Sequence, residues 1–195
     1  MEEIVDSEVG HGTELAAMAG HIVNRSGEAV VFKDVFDKEG VEAGLKSSSD
    51  RLLAGLPGYD LVTGHTAQAE AAIAVFRRRG VSDPQSTVRN LGTALALEII
   101  SNQSLIPGEK RALVDTGSYG VALEDPEMHY LAEHWGECGA EQVHEQNVIK
   151  AVDSILDTAT TPQIEAGVQD FLNSLTSLWD LLDSALLASG IRPTV

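Results

Sequence analysis

The sequence predicts an all-α protein: one globular domain of about six or seven helices wrapped around a central apolar helix over residues 83–105. Three observations carry this expectation. Apolar residues recur at three- and four-residue steps along most of the chain, and only one short run is rich in valine and phenylalanine. The segment SDPQSTVRNLGTALALEIISNQSLIP, residues 82–107, is apolar on nearly every side. A helix without a continuous polar stripe needs cover from several directions, so the other helices are expected to pack around it.

The first helix is expected over residues 13–25, TELAAMAGHIVNR, where Leu15, Met18, Ala19, Ile22 and Val23 share a face; Thr13 is a candidate cap and Gly27 a stop. Residues 28–36, EAVVFKDVF, form the one β-like run, an extended segment or short helix. The charged, glycine- and serine-bearing stretch 37–49 reads as a connector. It leads to a short helix around SDRLLAGL that Pro57 and Gly58 end. Residues 65–79, HTAQAEAAIAVFRRR, form an alanine-rich helix closed by Gly80, and Arg77, Arg78 and Arg79 suit the negative end of its dipole.

The central helix takes Ser82 or Asp83 as cap and Pro84 at its first position, and Pro107 is expected to stop it. One or two turns and a loop follow. Asp125-Pro126 restarts a helix that runs to about Asp157 or breaks near Gly136 and Gly139. The last helix opens at Thr160-Thr161-Pro162 and reaches about Ala188, before Gly190 and Pro193. Its Ile164, Val168, Phe171, Leu172, Leu175, Leu178, Trp179, Leu182, Ala185 and Leu186 form one long apolar stripe.

Composition narrows the function. A chain of 195 residues with 43% hydrophobic residues can build a real core, and six prolines with no low-complexity run leave no obvious linker. The formal net charge of -17 disfavours direct binding to nucleic acid or an anionic membrane. Cys138 is the only cysteine, which rules out an intramolecular disulfide framework or a four-cysteine zinc site within one chain. With neither a signal-like N-terminus nor a long apolar run, a cytoplasmic location is the expectation. Phosphate-loop, dinucleotide, nucleophile-elbow and His-Glu-x-x-His motifs do not occur.

Two places can carry chemistry. Glu98 sits among the aliphatics of the central helix, where a carboxylate needs a partner; a hydroxyl or arginine on a covering helix is its simplest one. Residues 127–145 hold His129, His134, His144, Glu127, Glu133, Glu137, Glu141, Glu145 and Cys138. Within them Glu141-Gln142-Val143-His144 has the Glu-x-x-His spacing of ferritin-like di-metal bundles, with Glu98 as a further carboxylate and Glu14 or Glu70 another. His134, Cys138 and Glu141 also have helical spacing for zinc. On a helical wheel, however, Tyr130, His134, Cys138, Glu141 and Glu145 share one face, with Ala132, Trp135, Gly139 and Val143 roughly opposite, so this polar stripe most simply faces water.

The leading expectation is therefore a non-enzymatic acidic protein, without cofactor, that acts by association. It would be a homo-oligomer subunit, or an adaptor or inhibitor of a basic partner, and Phe171, Leu175, Leu178, Trp179 and Leu182 would serve as interface. The alternatives are a carboxylate-bridged oxidoreductase holding iron or manganese through Glu98, Glu141 and His144, and a helical sensor of an apolar ligand.

Overall fold

Asp83 caps the longest helical run among the described residues, accepting the backbone N–H groups of Gln85 at 3.0 Å and Ser86 at 2.9 Å. In the computed structural model, described for residues 10–27, 29–56, 58–77, 83–136 and 139–188, the helices are α1 (His11–Arg25), α2 (Lys38–Leu53), α3 (Ala67–Arg77), α4 (Pro84–Ile100), α5 (Ile106–Lys110), α6 (His129–His134), α7 (Ala140–Ile155) and α8 (Thr161–Ala188). The fold class is all-α: among the described residues there is no strand, only an isolated bridge between Asp60 and His65. Pro57, Arg78, Arg79, Gly80, Ser82, Glu137, Cys138, Gly190 and Pro193, to which the sequence assigned ends, caps or site roles, lie outside the described residues.

Pro107 does not stop the central helix. Residues Ser101–Leu105 and Arg111–Asp115 are π-helical, and with α4 and α5 they make one unbroken helical run from 84 to 115. The Ile106 N–H donates to the Ser101 carbonyl, five residues back. This wider ladder stands immediately before the proline, whose missing N–H and bulky ring would disturb a regular α-turn.

The residues 37–49 form most of helix α2 and are not a connector. Asp37 accepts the Gly40 N–H at 3.2 Å, Lys38–Glu42 and Lys46–Asp50 form i,i+4 pairs, and Val41 is fully buried. Burial of one side and pairing on the other outweigh the low helix propensity of its glycines and serines. The run 29–36 forms no strand. Its Phe32 backbone exchanges two hydrogen bonds with the Asn24 side chain, at 2.7 and 2.9 Å, so a side chain takes the place of a neighbouring strand.

The described residues fall into two compact units, one from residues 1–51 and 98–147, the other from 52–97 and 148–195. The first has a core of Met18, Ile106, Val121, Met128 and Leu131, with Ile22, Leu113, Val114 and Tyr130 packed against it. It fixes α1 against α6 and the short 3-10 turn Pro126–Met128.

The second unit has a core of Val148, Val152 and Ile164 with Val88, Leu91, Ala94 and Leu95. Here α4 and α8 meet backbone to backbone: a Cβ on Gly92 would overlap the Ile164 carbonyl, and one on Gly167 the Arg89 carbonyl. Thr93, fully buried, donates its hydroxyl to the Gly167 carbonyl at 3.1 Å, and Arg89 closes the crossing with Asp170 at 2.6 Å. Large aliphatics on α4 are only half-buried; its fully covered positions are the small ones, Gly92, Thr93 and Ala96.

Candidate metal centre

Helix α6 ends at His134 and α7 begins at Ala140, so residues 126–157 are not one helix. Two glycines make the break. Gly136 has φ 103°, and a Cβ on Gly139 would lie 2.6 Å from the His134 carbonyl oxygen. The break removes the single stripe that would have faced water. His134, Glu141 and His144 are all buried, while Glu145 is half-buried and Tyr130 intermediate.

The turn also sets Glu141 in the first turn of α7, where free backbone N–H groups favour a carboxylate. His144 follows three residues later on the same face, and Glu98 enters from the last turn of α4. The Glu98, Glu141 and His144 ligand atoms all lie within 4.8 Å of one another, and His144 Nδ1 stands 3.7 Å from Glu98 Oε2. The imidazole and the Glu98 side chain are only 9% and 14% exposed, and Glu141 is 6% exposed.

The register between the two helices is held next door. Asn102 and Gln103, adjacent on the first π-helical turn, both donate side-chain N–H groups to the Glu145 carboxylate, Gln103 at 2.9 Å. Nothing in the sequence singles out this clamp.

Two carboxylate oxygens and one imidazole nitrogen form a donor set for a divalent transition ion such as iron, manganese or zinc. Ligand atoms bonded at 2.0–2.2 Å stand about 3–3.5 Å apart, so small side-chain rotations close this set on an ion. Two carboxylates, once ionised, would match the charge of a divalent cation, and three protein ligands would leave coordination positions for water or substrate.

The other sequence candidates are placed elsewhere. Glu70 pairs with His65 at 2.7 Å and with Arg77 at 3.7 Å, and Glu14 lies 3.9 Å from His129. His21 is held between Asp125 at 3.3 Å and Glu127 at 3.8 Å. Asp125 is kept below the ordinary aspartate range first by the Ala122 backbone N–H, then by His21 and Arg25. Burial pushes Glu109 upward.

On α8, Phe171 is buried edge-on against Phe76, with ring centroids 6.0 Å apart. Leu175, Leu178 and Leu182 are half-buried and Trp179 is exposed. A polar groove of about 520 Å³ lined by Asp83, Gln85, Ser86, Arg89 and Gln163 contains none of the triad. Compared with known proteins, the chain matches no family model, no curated protein and no solved structure.

Proposed function

We propose that this protein is a helical metalloprotein that holds a divalent iron or manganese ion through Glu98, Glu141 and His144 and uses it in redox chemistry. The observation that carries the reading is the convergence of a carboxylate from α4 with a carboxylate and an imidazole from α7, largely out of water. A divalent cation bound between two carboxylates and an imidazole would draw all three donors together and stabilise the carboxylates in their charged form. An ion bound there would supply Lewis acidity and electron transfer. The chain's own part is to orient the ligands through the Glu145 clamp and to exclude most solvent by packing.

The test is elemental analysis of protein purified without chelator, followed by anaerobic Fe(II) and Mn(II) titration of wild type, His144→Ala and Glu141→Gln. Wild type is expected to bind an ion at this centre, and each variant to bind it at least about tenfold more weakly. Identical binding in all three proteins would refute the assignment.

Self-association is a second reading, compatible with the first. The exposed apolar residues Leu172, Trp179 and Leu187 lie along α8, the first two spaced by two turns. Trp179, 53% exposed, is the residue best suited to anchor a contact with a second copy of the chain.

A further inference from the structure

Helices α1 and α6 of the first unit bring together a second set of metal-ligating side chains, richer in imidazole than the first. His11 and His134 are 7% and 3% exposed, and their ring centroids are 4.7 Å apart at 74°. Tyr130 stacks on His134 at 4.3 Å and meets His11 edge-on at 5.4 Å, which holds both rings in place.

The His134 Nδ1 atom lies 2.6 Å from the Tyr130 carbonyl oxygen, and a carbonyl only accepts, so Nδ1 carries the hydrogen. With Nδ1 so engaged, Nε2 is the ring nitrogen left to face an ion. A backbone carbonyl fixing the tautomer of a histidine is the usual outer support of a metal-bound imidazole.

Glu133 completes the set: its carboxylate and the ligand nitrogens of His11 and His134 all lie within 4.8 Å of one another. Glu133 is exposed, so an ion held there would remain open to water on one side. On the same carboxylate, Glu133 Oε2 lies 3.7 Å from His129 Nε2, which in turn lies 3.9 Å from Glu14 Oε1. The other oxygen of Glu14, Oε2, is buried and has no hydrogen-bond partner among the described residues. Glu14 and His129 thus form a polar flank beside the two imidazoles.

We propose that His11, Glu133 and His134 form a second metal centre, separate in its ligands from Glu98, Glu141 and His144. Two imidazoles and one carboxylate with open positions suit Fe(II), Co(II) or Zn(II), and favour them over Mn(II), which binds nitrogen donors least tightly of the series. The proposal does not depend on the first centre.

It is tested by titrating the full-length protein with Co(II), whose absorption reports nitrogen and oxygen coordination, in wild type, Glu133→Gln, His11→Ala and His144→Ala. Glu133→Gln is the informative variant, because the exposed side chain can change without loss of core packing; circular dichroism verifies the fold of each protein. The expected result is that Glu133→Gln and His11→Ala weaken one class of Co(II) site at least about tenfold, while His144→Ala leaves that class intact. Equimolar Mn(II) should fail to displace Co(II) from it. Unchanged Co(II) binding in folded Glu133→Gln and His11→Ala would overturn this centre and reduce the cluster to aromatic packing. Loss of a site in His144→Ala alone would overturn this centre and support the first one.

Discussion

Glu98 illustrates what a single residue type in the wrong surroundings can reveal. A carboxylate among Leu91, Ala94, Leu95 and Ile99 demands a partner, and that much is legible from sequence. The identity of the partner is not, because His144 approaches from another helix. His11 carried no signal at all: a lone histidine near a glycine at the start of a helix becomes notable only when Tyr130 and His134 stand beside it. Asp125 supports a prediction at this scale. Its folded-state affinity for protons is lowered by the Ala122 N–H, His21 and Arg25, so its stabilising contribution is complete above the ordinary aspartate value of 3.8 and is lost as pH falls through the lower folded value. Asp157, held down by Thr160, acts in the same sense. Thermal melts from pH 7 to about pH 2 should therefore show a falling acid limb that Asp125→Asn makes shallower. A limb of the same slope in the variant would contradict the role given to this carboxylate.

Helix positions followed the periodicity and the caps, while the exceptions have physical causes. Asp83-Pro84 and Thr160-Thr161-Pro162 mark real starts because a nearby aspartate accepts N–H groups there: Asp83 those of Gln85 and Ser86, Asp157 those of Ala159 and Thr160, and local bonds are readable in sequence. The α2 helix was hidden since its anchor is one buried valine, and α4 ran past Pro107 because the backbone widened to π-geometry. The α4–α8 crossing was hidden for a different reason: it depends on Gly92 and Gly167, and glycine in a helix reads as weakness until a second backbone is found against it. Alanine is better than glycine in a helix by about 1 kcal/mol. Gly92→Ala should nevertheless destabilise by about 1–3 kcal/mol, since its methyl group would displace the Ile164 carbonyl. Denaturant unfolding measures this directly, and a variant as stable as wild type would mean that the crossing is looser than the structure shows.

Taken as a whole, the chain carries a formal net charge of -17, and two copies brought together would repel unless salt intervenes. If α8 mediates self-association, light scattering should give a mass near twice 20.7 kDa, rising toward that value as salt is raised to about 0.5 M and screening shortens. Trp179→Ala should return the mass to that of one chain. A monomer at all salt concentrations would remove the association reading and leave the metal reading untouched. No helix among the described residues is long and apolar enough to cross a membrane. The all-α class was legible because it rests on periodicity summed over many residues, whereas the site rests on a few long-range meetings. Glu98 and His144 stand 46 positions apart (144 minus 98), and an ion bound by both closes that length of chain into a loop. An ion that binds the folded chain and is released on unfolding stabilises it by mass action, so coordination there would act as a reversible staple across that loop, made when the ion arrives and undone when it leaves.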